Sequence, residues 1–597
     1  MNEKVLKKRE EIPEEAKWKL DKIYENQDEW ERDFQNLKEE SPKIKDFSGK
    51  LQDKEEILKY LELNEKISRK VEKLYVYAHM KCDEDTTNQN TQSVMNKIDS
   101  YMAELGSYSA YFVPEILALK DGFIEDLVNS DERFKLYEFM LKDILKEKKH
   151  ILTKEMEELL ALASDCLDAP ASIHNMLTNA DMTFENIKDE DGDEVELTEG
   201  NYSSFIRSKD REIRKDAFKK LFKEYKKLEN TFATSLTASV KTFNFSAKVR
   251  KYDSPLAASL GPNDIPLSVY EKAIETINNN VSSLHRYVRV KKKLLGLEEM
   301  HMYDLYVPII EVEKEDIPFE EAVQIAEEGL KPLGNEYMNI FKEGIKSGWV
   351  DIYQNKGKRG GAYSWGAYDT MPYVLLNYNY ELNDVSTLVH EMGHSIHSYY
   401  SRKVQPFYYS GYTLFCAEVA STTNEALLIN HLIEKERDKN KKLFLINQEL
   451  EQIRTTVFRQ LMFAEFELFT HNALSDGNPL TADDYNRKWH ELNQTYFGED
   501  MIVDEEIDSE WARIPHFYSD FYVYQYATGY AAASAFAKSI INGEEDAVNK
   551  YIGFLSSGGS KYPIDILKDA GVDMTTPKPI EATLDRFNKL LDMLEQL

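Results

Sequence analysis

Residues 390–394 read His-Glu-Met-Gly-His, and this pentapeptide constrains the chain more than any other stretch because its side chains converge only on a helix. Two histidines four apart on a helix leave the same face, one turn of about 5.4 Å from each other, so both imidazoles can reach one cation. Glu391 lies beside the first histidine, at the rim of such an ion. The flanking sequence suits a helix: Asn383 or Asp384 can cap its start, and Val385, Leu388, Val389, Met392 and Ile396 recur at helical spacing.

Paired histidines with an adjacent carboxylate match the pattern of a zinc peptidase, in which the metal activates water and the glutamate takes its proton. A zinc-binding continuation with glycine at 397 and histidine at 400 is excluded, because the chain has His397 and Tyr400 there. His397 faces the same side as His390, but seven helical residues separate them by about 10.5 Å, too far to share an ion at about 2 Å. His397 is expected behind the ligands or in the core. The third ligand is expected from Glu418, 24 residues beyond His394 in a second helical stretch, LFCAEVASTTNEALLINHLIEK. Its neighbours Cys416, Ala417, Val419 and Ala420 suggest a buried carboxylate, which needs a cation or a partner. His390, His394 and Glu418 with one open position make a known catalytic zinc set, and Ser421, Thr422 and Glu425 follow at spacings that would let them orient it.

The sequence around this site is mostly helical in period. From Glu14 to about Leu167 apolar residues recur at three- and four-residue steps; helices resume after Asn201, including one long stretch from Ser208 to Arg250. Between them, Phe184, Ile187, Val195 and Leu197 flank Asp191-Gly192 as a β-hairpin would, and Asp189, Asp191 and Asp193 lack the spacing of a calcium loop. GKRGGAYSWGAYDTMPYVLLNYNYELND, just before the metal helix, reads as turns and strands. Such a sheet could hold a peptide as an added strand, with Gly357, Gly360, Gly361 and Gly366 admitting its backbone, or could be a small core sheet. The row WARIPHFYSDFYVYQYATGY holds His516, Tyr522 and Tyr526, with both tyrosines expected on one helical face; these are donors suited to an oxyanion or aromatics packing a core.

A formal charge of −31 excludes nucleic acid as the expected partner. The basic run Arg286 to Lys293 reads as a solvated helix face. Cys82, Cys166 and Cys416 are far apart, no disulfide framework is suggested, and the N-terminal sequence lacks an apolar signal core, so a cytoplasmic protein without membrane spans is expected.

EEAKWKLDKIYENQDEW, GGAYSWGAYDTMPYVLLNY, HEMGHSIHSYY, FCAEVASTTNEALL, HFYSDFYVYQYATGY and SSGGSKYPIDILKDAGVDM together resemble oligoendopeptidase F, in the thimet oligopeptidase superfamily of zinc metallopeptidases, over nearly the whole chain. The resemblance implies a mainly α, two-lobed helical clam with a deep channel, alongside the small β-sheet next to the metal helix. It implies one Zn²⁺ per chain held by His390, His394 and Glu418, with Glu391 as base, and cleavage of oligopeptides rather than folded proteins. Tyr522 and Tyr526 match tyrosines that steady the transition state, and His516 matches the family histidine. A division follows into an N-terminal helical region, 1–200, ending in the hairpin, and a catalytic region, 201–597. The rival readings are a metallocarboxypeptidase of the same superfamily, which would require a free substrate C-terminus, and a non-catalytic helical peptide-binding protein.

Overall fold

The computed structural model describes residues 6–597. With 71% of its residues helical and only small sheets, the fold is mainly α, as the periodicity predicts. The chain forms two compact units, each discontinuous in sequence: Met1–Lys148 with Lys314–His431 and Phe536–Gly571, and Lys149–Glu313 with Leu432–Ala535 and Val572–Leu597. This spatial partition is a different division from the linear one at residue 200.

In the first unit, helix α1 (Lys54–Asp83) buries Ile57, Leu61, Leu74 and Ala78 on the face that its apolar spacing defines. Trp30 packs there, its indole N–H donating to Leu74 O at 2.9 Å. Helix α2 (Gly334–Lys346) leads into a three-stranded sheet of β1 (Val350–Tyr353), β2 (Tyr363–Trp365) and β3 (Tyr373–Tyr378), in the order β1-β3-β2. β1 runs parallel to β3 and β2 antiparallel to it, with Ser364 opposite Val374. β2 is therefore an edge strand. The N-terminal segment braces the sheet: Arg9 pairs with the buried Asp351 of β1, which Lys358 also meets at 2.7 Å.

Helix α3 (Leu382–Val404) follows the sheet, α4 (Leu414–Lys435) leaves the unit at its last residues, and α5 (Ala547–Ser556) packs on α3. The start of α3 lies two or three residues before the predicted cap, Asn383 or Asp384. Glu381 is the N-cap and Asp384 the third helical residue, reaching back to accept from Glu381 N at 2.9 Å. Val385, Leu388, Val389, Met392 and Ile396 are all fully buried, as their spacing predicts.

In the second unit the hairpin pairs Asn186–Lys188 with Glu194–Glu196, and the Asp189 carboxylate accepts from the amides of Asp191 and Asp193, making a turn of these acids. The long helical stretch breaks at Leu228 into Arg211–Lys227 and Glu229–Val249. The basic run is only partly solvated: Arg286 pairs with Asp592 and Glu595, but Lys291 is buried, donating to Leu305 O at 2.6 Å and meeting Glu451 at 3.1 Å. Its helix turns this one lysine inward with Tyr287 and Val288. All three cysteines are free. Among the described residues no helix is long and apolar enough to cross a membrane.

Candidate metal centre

Gly393 sets how closely α3 and α4 cross. A Cβ placed on it would stand 2.7 Å from Ser421 Cα and 3.1 Å from Ala420 O, and neither backbone atom can rotate away. Buried Asn424 donates to Val389 O at 3.1 Å and accepts from Tyr337 of α2 at 2.9 Å, and Tyr551 of α5 donates to Ala420 O at 3.3 Å. One of these bonds ties α4 directly to α3 beside His390, and the other two hold α4 from α2 and α5.

That crossing brings three predicted ligands together. His390 Nε2 and His394 Nε2 are 3.2 Å apart, and Glu418 Oε2 lies 3.4 Å from the first and 3.6 Å from the second. A point about 2.0 Å from all three atoms lies within this triangle, matching zinc–nitrogen and zinc–oxygen bond lengths. The donor set therefore fits a zinc ion. Glu418 departs from its expected burial: its side chain is 49% exposed. Cys416, Val419 and Ala420 are turned into the core, and the helical twist leaves Glu418 on the open face above the histidines.

Groups behind the three predicted ligands contact their side chains. Glu425 lies 3.3 Å from His390 Nδ1, the His394 ring bonds to the Ala417 carbonyl, and Ser421 Oγ donates to Glu418 Oε2 at 3.1 Å. Among the described residues Thr422 makes no corresponding side-chain hydrogen bond. Burial alone would pull the His390 pKa down, but Glu425, Glu391 and Glu418 outweigh it and push it up to about 9. Burial and the neighbouring His390 instead hold His394 down to about 4. Three carboxylates around one histidine pair make a site that demands positive charge.

Replacing Glu425 by Ala should leave the three donors but free the His390 ring, weakening zinc binding by about 10- to 100-fold. Competition with a chromophoric chelator reads this directly; unchanged affinity would remove Glu425 from the orienting role.

Glu391 is buried beside the donors, its pKa raised by burial to about 7 and moderated by His390 and by a hydrogen bond from the Ser364 amide. Ser364 belongs to β2, and its hydroxyl is 2.8 Å from that of Ser395 on α3, so the edge strand is locked beside Glu391. Two of the four glycines expected to admit a peptide serve the chain itself. A Cβ on Gly357 would collide with Asp85 Oδ1, and one on Gly366 with Met371 O, whereas Gly360 and Gly361 face open space. His397 is a core residue, 1% exposed and stacked on Tyr412 at 3.7 Å between ring centres. Burial drives its pKa down to about 3, so it packs as a neutral ring.

His516, Tyr522 and Tyr526 form their own cluster within the second unit. Tyr526 OH lies 3.5 Å from His516 Nε2, and the two tyrosine rings meet edge-on at 5.3 Å. Tyr522 is not on the helix as expected, because that helix begins at Tyr524. Phe521 adopts a left-handed backbone, φ 57°, its amide bonded to buried Glu467 at 2.6 Å, and this turn precedes the helix. The tyrosines meet across a helix entrance rather than along a face.

Sequence reasoning passed over Gly393, Asn424, Tyr337 and Ser364. Gly393 alone carried a signal, as a glycine in a helix interior, which costs stability unless something must approach closely.

The profile of peptidase family M3 matches residues 204–586, and that described as Oligopeptidase F matches residues 115–184. Oligopeptidase PepF of Bacillus subtilis is 46% identical over 593 residues, 99% of this chain and 88% of the relative. An oligoendopeptidase F homolog of Lactococcus lactis is 39% identical, with 99% of both chains covered. Among solved structures, oligoendopeptidase-F from Enterococcus faecium shares 37% identity and a TM-score of 0.72 over 96% of this chain and 99% of its own. A chain from Chlamydophila abortus shares 36% identity and a TM-score of 0.95 over 99% and 100%. With sequence similarity spanning the whole chain and a ligand-spaced donor triad at its HExxH helix, the protein belongs to peptidase family M3, among the oligoendopeptidase F peptidases.

Proposed function

We propose that the chain is a zinc-dependent endopeptidase that hydrolyses internal bonds of short peptides. The observation that carries this reading is the convergence of His390, His394 and Glu418 on one point with the Glu391 carboxyl beside it. A zinc ion held there supplies Lewis acidity, acidifying water and polarising the scissile carbonyl. Glu391 accepts the proton of the attacking water and returns it to the leaving amine. The Ser364 amide keeps the Glu391 carboxyl turned to that task, and Glu425 holds the His390 ring. The substrate adds as a strand along the free edge of β2, where main-chain hydrogen bonds fix its register without reading sequence. Gly360 and Gly361, with open space at their Cα atoms, support that placement.

His516, Tyr522 and Tyr526 are assigned on the family resemblance as hydrogen-bond donors to the tetrahedral oxyanion, and their mutual contacts support treating them as one group. Loss of one such donor is expected to cost about 100-fold or more in kcat. The proposed preference for short peptides follows the names of the relatives, oligopeptidase and oligoendopeptidase. A cytoplasmic location is proposed with it.

The test is digestion of a peptide-length series, with and without chelator and restored zinc, read by mass spectrometry. Internal cuts confined to short peptides, abolished by chelation and restored by zinc, are expected. Stepwise C-terminal loss that stops when the C-terminus is amidated would make the enzyme a carboxypeptidase. Chelator-insensitive cleavage would remove the metal from the reaction.

A further inference from the structure

The second unit buries a polar pair that the chemistry described so far does not use. Glu467 and His471 lie one turn apart on the helix Arg459–Ser475, 2% and 0% exposed. The same helix packs Phe463 and Phe466 against Phe517, and in such an aromatic core a carboxyl and an imidazole are unfavourable unless a partner needs them. Both reach the turn that precedes Tyr522. Glu467 Oε1 accepts from the Phe521 amide at 2.6 Å, and His471 Nε2 faces Asp520 Oδ1 at 3.3 Å.

The pair is itself held from behind. Asn244 donates through Nδ2 to His471 O and to Ser475 Oγ, each at 3.0 Å, which orients its amide so that Oδ1 accepts from His471 Nδ1 at 2.8 Å. That leaves Nε2 for Asp520. The Phe521 ring is 1% exposed, its centre 4.3 Å from that of His471 and 5.7 Å from that of Tyr270. Burial, with the Asp520 carboxylate nearby, pushes the Glu467 pKa well above the usual carboxylate range, so its carboxyl is neutral at neutral pH. The turn needs a clamp of this kind, because φ 57° is a conformation that a bulky side chain rarely adopts. Glu467 supplies the acceptor that the buried Phe521 N–H requires.

We propose that Glu467 and His471 are positioning residues for the peptidase reaction: by clamping Phe521 and Asp520 they fix the left-handed turn that sets Tyr522 beside His516 and Tyr526. This role rests on the reading of Tyr522 as an oxyanion donor. Tyr522 lies before the helix start at Tyr524, so its direction comes from the turn rather than from helical geometry. With the clamp lost, Phe521 can relax to negative φ and swing Tyr522 away from the His516 ring, 6.2 Å from its own, and from the Tyr526 ring, 5.3 Å from it. A misplacement of about 1 Å in a group that acts on the transition state can cost on the order of 100-fold in rate. The effect falls on kcat, since the peptide is placed on the edge of β2.

The test is a double-mutant cycle on the full-length, zinc-loaded protein, read as kcat and KM with an internally quenched peptide. Glu467→Leu is expected to lower kcat about 10- to 100-fold with KM within about twofold. Glu467→Gln, which keeps the neutral shape and the acceptor for the Phe521 N–H, should recover most of that loss. His471→Asn, whose amide keeps a donor near the Nδ1 position but does not reach Asp520, should lower kcat too, and it decides the test if the Leu variant does not fold. In the Tyr522→Phe background neither substitution should cost more than about a further twofold. Losses that multiply with that of Tyr522→Phe would show a general structural role, and full kcat in both Glu467→Leu and His471→Asn would show no role; either overturns the proposal. An unchanged kcat in Tyr522→Phe alone would instead remove Tyr522 as a donor, and the positioning role falls with it.

Discussion

Replacing Glu391 by Gln is expected to leave zinc bound and lower kcat by about 10²- to 10⁴-fold. The substitution is nearly isosteric in a buried position, and the amide oxygen can still accept from the Ser364 N–H. His390, His394 and Glu418 keep their positions because the contacts that orient them, from Glu425, Ala417 and Ser421, do not pass through Glu391. What disappears is the carboxylate's capacity to take a proton. Metal analysis and steady-state kinetics on the same preparation separate the outcomes. A variant with full zinc content and near wild-type turnover would remove Glu391 as the base.

Gly393→Ala is expected to damage the site as severely, by a different route. The added methyl must displace α4 at Ser421, and the displacement carries Glu418, only three residues away, from the two histidines. Overpacking of this kind costs about 1–3 kcal/mol of stability. The larger effect falls on the metal, with zinc affinity expected to drop at least about 10-fold as the donor triangle opens. Gly360→Ala is the control: Gly360 has open space around its Cα, and its stability effect should stay within about 0.5 kcal/mol. Equal zinc affinity in Gly393→Ala and wild type would show that the helix crossing tolerates the methyl and that the site does not depend on it.

The helix carrying the histidines was legible because its chemistry is local. Spacing alone puts His390 and His394 on one face, and Val385, Leu388, Val389, Met392 and Ile396 on the buried one. Glu418 could be nominated from its setting in a second apolar helix, but not its exposure, which depends on how α4 is rotated against α3. Asn424 and Tyr337 could not be found, since each is explained only by a partner distant in sequence. Tyr522 misled for a related reason: a spacing of four suggested a helix, but the left-handed Phe521 delays the helix to Tyr524. Lys291 sat unnoticed in a charged run because the inward turn of one residue is fixed by Glu451, 160 positions away. The sheet beside the site was legible as strands and glycine turns; its order, with β2 at the edge and Ser364 against Glu391, came from tertiary pairing.

The central claim is that His390, His394 and Glu418 hold one zinc ion. Anomalous diffraction across the zinc absorption edge, on crystals of the zinc-loaded full-length protein, tests it most directly. One strong peak is predicted, about 2.0–2.2 Å from His390 Nε2, His394 Nε2 and a Glu418 carboxylate oxygen. No peak at this triad, or a zinc ion ligated without Glu418, would contradict the account.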